Sequence, residues 1–281
     1  MLPAISLLAL HILTTLILSQ LYFRTYALKR PPIGVFNLWD VALMLLGILC
    51  IPYLYLLLPF WMVAVLLGLG AVGIGDTTLE PLLPRRQWRW LLLSLLLITE
   101  LFALRQWGAG SQPFLLINNL LQVLVVVGVS NLWAQCGMKA RDSAILGAAL
   151  TVYDLLFTSF LPLMGNLFHR LAMLPFAPQI GWTLAGGGLL AIGVGDLLLA
   201  AVFPLLMGKA YGTKAGGVAY SLTGVALIVL LLLPRLLPVL VIFPVMTVLG
   251  PLMVGQVLYW RRQKTSERTT WQFRSPSPFR S

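Results

Sequence analysis

Long apolar stretches follow one another along almost the whole chain, separated by short breaks that carry charge, proline or glycine. Runs such as 43–58, 115–129 and 218–233 are far too apolar for the surface of a water-soluble domain. These runs show no period-two alternation of the kind that an outer-membrane barrel requires. The α-helix is the other structure that satisfies its backbone in lipid, so the pattern predicts an all-α polytopic membrane protein.

Apolar periodicity and charge breaks divide the chain into about nine transmembrane helices. The predicted spans are 2–22, 38–58, 59–76, 90–104, 114–134, 143–163, 182–206, 216–233 and 236–259. Only Pro52 and Pro59 mark a turn between the second and third spans. The fourth span is short and would need a thinner bilayer or a tilted neighbour. Of the nine predicted spans, the second, third and fourth therefore have the least certain boundaries.

Charge gives the predicted helices an orientation. The 281 residues are 59% hydrophobic and 10% charged, with a mean hydropathy of +0.94 and a net charge of +11. With nine spans, sixteen of the 19 Lys and Arg residues fall on one side of the membrane; Arg105, Arg170 and Arg235 fall on the other. Basic residues collect on the cytoplasmic side, so the N-terminus is predicted outside and the C-terminus in the cytoplasm. The net positive charge is then explained by this topology and by contact with anionic lipid headgroups. It does not require a nucleic-acid partner.

The chain divides into three predicted parts. Residues 1–142 form an N-terminal five-helix part of the bundle, and residues 143–259 form a four-helix part that carries the candidate chemistry. Residues 260–281 form a basic tail that is predicted to be disordered in the cytoplasm. The two Cys and two His residues are scattered, so we expect no metal site and no cofactor. These features describe a multi-pass protein of the cell membrane, with the lipid bilayer as its main surroundings.

Two aspartates stand out because they fall near the middle of predicted spans. Asp154 in the sixth span and Asp196 in the seventh both lie ~15–17 Å from the cytoplasmic ends of their spans, at 1.5 Å per residue. A carboxylate inside a bilayer costs a few kcal/mol, so it is a functional-site hypothesis by default. Adjacent antiparallel helices would bring the two carboxyl groups face to face, where they can share a proton and activate a water. Gly193 and Gly195 leave room beside Asp196 for a helix or a substrate backbone.

Three short motifs accompany these acids. They are Tyr153-Asp154 in the sixth span, Gly193-Val194-Gly195-Asp196 in the seventh and Leu237-Pro238-Val239-Leu240 at the head of the ninth. The set resembles the signature of the presenilin and signal peptide peptidase family, with Tyr-Asp, Gly-x-Gly-Asp and Pro-Ala-Leu on the sixth, seventh and ninth of nine helices. Val239 stands where the family has Ala. The resemblance covers residues 143–259, and the predicted orientation is similar to that of the signal peptide peptidase branch.

The resemblance implies an intramembrane aspartyl protease. Its substrate would be a transmembrane peptide or protein, or a leftover signal peptide, cut within the membrane. The resemblance makes Asp154 and Asp196 the catalytic pair and adds Tyr153, Gly193 and Gly195 as motif residues. It also implies that Pro238, Val239 and Leu240 help to hold an unwound substrate strand by backbone pairing.

The residues leave other functions open. Acids at the centre of spans, beside glycine-rich helices, are also typical of transporters and channels that move protons or cations. A catalytically inactive homologue that acts as a chaperone for membrane helices is a further alternative. A prepilin-peptidase-like enzyme also uses Gly-x-Gly-Asp, but the expected cytoplasmic cysteine-rich segment is absent and Leu197-Leu198 follows the aspartate.

A second Gly-x-Gly-Asp lies 120 residues before the first. Between 68–84 and 188–204, eight of 17 positions are identical, including the pair Asp76 and Asp196. Asp76 is followed by threonines, an acid and basic residues, so it is predicted to lie at the membrane interface and outside the catalytic pair.

A few other polar residues lie within the predicted spans. Asn118 and Gln122 stand four residues apart on one helix face, and we expect them to form interhelical hydrogen bonds. Glu100 lies near Arg105 and is predicted to be a helix-end charge rather than a base.

Overall fold

The computed structural model describes residues 2–28, 36–160, 163–184, 186–236, 244–264 and 267–268. This part of the chain forms ten α-helices, one π-helical segment and one β-hairpin. The helices are α1 Leu2–Thr25, α2 Leu38–Leu57, α3 Phe60–Leu79, α4 Arg86–Trp107, α5 Gln112–Gln135, α6 Ala140–Asp154, α7 Leu163–Leu171, α8 Val194–Tyr211, α9 Thr213–Leu236 and α10 Met246–Gln263. The π-helical segment is Leu155–Phe160, and the strands are β1 Gln179–Thr183 and β2 Leu189–Gly193.

Seven of the described helices are long and apolar enough to cross a membrane, namely α1 to α5, α8 and α9. Large apolar side chains such as Trp39, Leu57 and Leu69 point outward from these helices. A water-soluble fold would have buried a surface this apolar. The chain is therefore a multi-pass α-helical membrane protein, as its hydropathy pattern predicts.

The weakly marked break between the second and third spans is confirmed. α2 ends at Leu57 and α3 begins at Phe60, directly after Pro59. Proline restricts the residue before it to an extended backbone, and Leu58 has φ −71° and ψ 148°. A single proline therefore separates two membrane helices.

The predicted fourth span is too short. α4 has 22 residues, because it begins four residues earlier and ends three later than the predicted 90–104. A helix of this length crosses a bilayer without thinning it.

The predicted seventh span is wrong in its first half. One helix is predicted over 182–206, but the structure forms the β1–β2 hairpin first, and α8 begins only at Val194. Gly186, Gly187 and Gly188 lie in the turn, where Gly187 has φ +82°, a conformation that favours glycine. Each of these glycines would cost a helix about 1 kcal/mol. An apolar run by itself does not distinguish a buried strand from a helix.

α8 lies at the centre of the bundle. It packs against α1, α5, α6 and α9, and nearly every side chain from Leu197 to Tyr211 is buried. Lys209 is also buried, and its ammonium group donates to the carbonyl oxygens of Ala134, near the end of α5, and of Met138, just after it. The helix that begins with Asp196 is therefore held on several sides.

α6 and α10 cross closely at two glycines. A Cβ atom on Gly147 would lie 3.5 Å from the Cα of Gly250, and a Cβ on Gly250 would collide with Thr151 and with the Gly147 carbonyl. Small residues at a helix crossing allow the backbones to approach. This crossing fixes the start of α10 beside the end of α6.

Two further boundaries differ from the sequence prediction. α10 runs from Met246 to Gln263, so the first residues of the predicted tail 260–281 are helical. α7 was not predicted as a separate element, and its nine residues are too few to span a bilayer.

Candidate active site

Asp154 is the last residue of α6, and the chain continues from it as the π-helical segment. The backbone N–H of Met246, the first residue of α10, donates to Asp154 Oδ2 at 2.9 Å. One turn earlier, the Thr151 hydroxyl donates to the Met246 carbonyl oxygen at 2.9 Å. Single-turn π-helices are frequent at functional sites. These bonds orient the Asp154 carboxyl group against the start of α10 and use one of its two oxygens.

Asp196 lies in the first turn of α8, where the chain leaves strand β2. A carboxyl group is favoured there, because the first N–H groups of a helix lack intrahelical partners and carry a partial positive charge. A Cβ on Gly193 would lie 3.4 Å from Asp196 Oδ2, whereas a Cβ on Gly195 would meet no atom within 4 Å. Gly195 is exposed, so there is open space beside the residue that precedes Asp196.

The structure brings the two aspartates together. α6 packs against α8, and the carboxyl groups lie near enough for the charge of Asp154 to act on Asp196. At 1.5 Å per residue, Asp154 lies ~21 Å along α6 from its first residue, Ala140. Asp196 lies ~22 Å along α8 from its last residue, Tyr211. They therefore have similar heights in the bundle, although α8 begins later than predicted.

Tyr153 lies beside Asp154 and packs its ring on Phe157, with 4.6 Å between ring centroids. Its hydroxyl group is buried and has no hydrogen-bond partner among the described residues. The remaining motif residues, Pro238, Val239 and Leu240, lie outside the described residues. The nearest described residue after them that contacts the site is Met246.

The β-hairpin leads directly into the site, and the sequence did not predict it. Its antiparallel register pairs Gln179 with Gly193 and Thr183 with Leu189. Val194 donates to Pro178 and Leu184 donates to Gly188, so the even-numbered pairs exchange backbone bonds within the hairpin. The odd-numbered residues therefore direct their N–H and C=O groups away from the partner strand.

The outer edge of β1 is covered by side chains of α5. Asn119 accepts from the Gly181 N–H and donates to the Gly181 carbonyl oxygen, each at 3.0 Å. Asn118 donates to the Gln179 carbonyl oxygen at 2.9 Å. The prediction that Asn118 and Gln122 form interhelical bonds is therefore wrong: their described hydrogen bonds go to the hairpin segment, and Gln122 donates to Phe176 at 3.2 Å. The adjacent Asn118-Asn119 pair, two polar amides within an apolar span, is the signal in the sequence.

Among the described residues, none covers the outer edge of β2 in this way. In the described part of the chain, no residue bonds to the outward N–H and C=O groups of Leu189 and Ala191. An unpaired strand edge is a template for another extended segment. The edge ends at Gly193, three residues before Asp196.

The second Gly-x-Gly-Asp has a different environment. Asp76 lies within α3, and the Arg89 side chain of α4 donates from Nε to its Oδ1 at 2.6 Å. Arg89 also donates to the carbonyl oxygens of Leu83 and Pro84. Asp76 is thus satisfied by a structural ion pair between two helices.

Glu100 also differs from its prediction. It is fully buried, and its Oε1 accepts from the Phe176 N–H at 2.6 Å, so it is not a helix-end charge.

No group of three or more His, Cys, Asp or Glu side chains within the described ranges could hold a metal ion. The chain matches none of the protein-family models, curated proteins or solved structures with which it was compared.

Proposed function

We propose that the chain is an intramembrane aspartyl protease similar to presenilins and signal peptide peptidases. The observation that carries the proposal is the proximity of Asp154 and Asp196, from the packed helices α6 and α8, at the end of a strand edge that no described residue pairs with. Taken alone, Asp154 is explained by its hydrogen bond to the start of α10, and Asp196 by its place in the first turn of α8. Two neighbouring acids and a strand template are together what an aspartyl protease uses to hydrolyse a peptide bond.

The two carboxyl groups would share one proton, since two like charges close together in one site disfavour double ionisation. The ionised group takes a proton from a water molecule, and the resulting hydroxide attacks the scissile carbonyl carbon. The protonated group gives its proton to the carbonyl oxygen, which forms a tetrahedral diol. Collapse of the diol breaks the C–N bond: the leaving nitrogen takes a proton from one carboxyl group, and a diol hydroxyl returns its proton to the other. The pair again holds one proton, and the products are a new carboxylic acid, which ionises in water, and a new amine.

A transmembrane substrate must unwind before it is cut, because a helical carbonyl group is hydrogen-bonded and shielded. The edge of β2 offers the unwound segment replacement partners at Leu189 and Ala191. The open space at Gly195 then admits the substrate backbone next to Asp196. Pro238 to Leu240 would contribute from the other side, as the family resemblance implies.

The proposal includes nine membrane crossings, with the N-terminus outside and the C-terminus in the cytoplasm of the cell. α6 and the π-helical segment together cover 140–160, long enough for one crossing, and α10 supplies another in addition to the seven long apolar helices. Tags at both termini, tested for protease access in intact cells, will check it. An N-terminal tag on the cytoplasmic side contradicts the nine-span topology.

The test of activity uses the purified chain in lipid nanodiscs with a reporter transmembrane peptide. In water enriched in ¹⁸O, wild type should release two fragments, and the new C-terminal carboxylate should contain one ¹⁸O atom. Asp154→Asn and Asp196→Asn should release none, because the amide cannot exchange the proton. No cleavage by wild type, together with a proton- or cation-dependent flux in liposomes that either substitution stops, would instead identify a transporter.

A further inference from the structure

Phe176 stands at the start of the hairpin in a backbone conformation that phenylalanine rarely adopts. Its φ is +61°, the positive-φ exception among the described non-glycine residues. Such a conformation costs a non-glycine residue about 1–2 kcal/mol and persists only where the surroundings determine it. The segment before β1 is therefore held in place by its neighbours.

Three helices of the N-terminal part supply these neighbours. Glu100 of α4 accepts from the Phe176 N–H at 2.6 Å, and Gln122 of α5 donates to the Phe176 carbonyl oxygen at 3.2 Å. The Phe176 ring lies against Gly68 of α3, where a Cβ would approach Cε2 of the ring to 3.0 Å. Both backbone groups and the side chain of one residue are thus fixed from outside the four-helix part.

Glu100 itself has an unusual environment. It is fully buried, it forms no ion pair with a described residue, and its Oε2 lacks a hydrogen-bond partner among them. Burying a carboxyl group without a counter-charge is costly. Its one described partner is the backbone N–H of Phe176. The hydrogen bond to Phe176 is therefore the described interaction that offsets the unfavourable burial of this carboxyl group.

The anchoring extends along β1 to the site. Asn119 forms two hydrogen bonds with Gly181, as a neighbouring strand would. β1 fixes the register of β2 through the pair Gly181 and Ala191, and β2 continues into Asp196. A shift of one residue along a strand is about 3.3 Å and turns every side chain to the other face. Holding β1 therefore also sets the height of the β2 edge relative to Asp196.

We infer that Glu100 and Asn119 are positioning residues that hold the hairpin at a fixed height and thereby select the peptide bond that is cut. This inference rests on the proposed protease function. The residues act through the hairpin and do not touch the substrate. Their loss should widen the choice of cleavage site, whereas loss of a catalytic aspartate should stop cleavage altogether.

The experiment compares Glu100→Leu and Asn119→Leu with Glu100→Gln and with a matched control, Asn131→Leu. Asn131 is a fully buried amide on the same helix as Asn119, but it bonds to Ser19 of α1 and to its own helix. Fragment masses report the cleavage sites. Amide hydrogen exchange over residues 176–193, in nanodiscs without substrate, reports hairpin order independently of activity.

In the two hairpin Leu variants, we expect hairpin exchange to rise about tenfold, because a hydrogen bond to a charged or buried group contributes about 1.4 kcal/mol. Products cut at neighbouring bonds should rise relative to the main product, while KM changes little. Glu100→Gln should resemble wild type, since its amide oxygen still accepts from Phe176. Asn131→Leu should keep the wild-type product pattern even if the protein melts at a lower temperature.

Three results would overturn the inference while leaving the protease function intact. These are an unchanged product pattern in an active Asn119→Leu, unchanged hairpin exchange, and a Glu100→Gln variant as defective as Glu100→Leu. If Glu100→Leu fails to fold, Asn119→Leu and Glu100→Gln decide. A wild type that never cleaves overturns the proposed function, and hairpin exchange then shows separately whether the anchoring exists.

Discussion

The chain contains the pattern Gly-Ile-Gly-Asp at 73–76 and Gly-Val-Gly-Asp at 193–196, and the two copies fold differently. The first lies within α3 and is helical throughout, whereas the second spans the junction between β2 and α8. Asp76 is paired with a cation, Arg89, at 2.6 Å. Asp196 instead lies within the electrostatic range of another acid, Asp154, on the neighbouring helix α6. The same four positions thus produce a structural ion pair in one place and a candidate catalytic pair in the other.

The difference comes from what lies next to each copy. The first copy continues an uninterrupted apolar helix, and the hydroxyl groups of Thr77 and Thr78 donate back to the Ile74 carbonyl oxygen. The second copy follows a run of three glycines that turns the chain into a strand. Motif letters therefore indicate chemistry only together with the element that presents them.

The largest expected difference between the two copies is in cleavage. Asp196→Asn should lower the cleavage rate of a reporter transmembrane helix by about 10³-fold or more, since it removes the exchangeable acid. Asp76→Asn should retain most of the activity, because Asp76 lies outside the pair. Neither substitution should unfold the bundle. Activity that survives Asp196→Asn but is lost in Asp76→Asn would mean that the first copy is the catalytic one.

The next-largest difference is expected when the glycine directly before each aspartate is replaced. Gly195→Leu extends into open space, so the melting temperature should change little, but the side chain would occupy the path to Asp196. We expect kcat/KM to fall roughly 10–100-fold, about 1.4–2.8 kcal/mol. Gly75→Ala should instead lower the melting temperature and leave kcat/KM nearly unchanged. Its Cβ would lie 2.6 Å from Leu93 Cδ2, which must move. A Gly195→Leu enzyme with wild-type kcat/KM would contradict substrate access on this side.

The ion pair of the first copy can be broken from its other partner. Arg89→Met leaves the Asp76 carboxylate without its cation and should lower the melting temperature. The loss should be moderate because the Asp76 side chain is 26% exposed. The double variant Asp76→Asn with Arg89→Met should recover part of the loss, as no unpaired charge remains. Thermal melting in detergent measures both; equal loss in the single and double variants would argue against the pair.

The smallest expected effect is at Gly73. It lies inside α3, is exposed and has no atom within 4 Å of a Cβ position. Gly73→Ala should therefore stabilise the protein by about 0.5–1 kcal/mol, because alanine has less backbone freedom to lose. Cleavage should be unchanged. A destabilised Gly73→Ala would show that this helix face contacts something in the membrane.

Much of the fold follows from the sequence, because the membrane restricts it. Apolar runs about 20 residues long must be helical in lipid, so the helices α1 to α5 and α9 lie close to where hydropathy predicts them. Pro59 ends α2 at the predicted position for a local reason. Asp154 and Asp196 were identified from the cost of placing a carboxylate in an apolar span, and that cost is a property of the residue itself.

The hairpin and its anchors were decided by tertiary structure. Residues 182–193 are as apolar as a membrane helix; the glycine run allows the turn, and pairing between β1 and β2 then makes the strand the better choice. The partners of Glu100 and Asn119 are 76 and 62 residues away along the chain. Composition and spacing determine that a buried polar group needs a partner. Which backbone supplies it depends on how the helices pack, and here that packing joins the N-terminal helices to the strand that leads to Asp196.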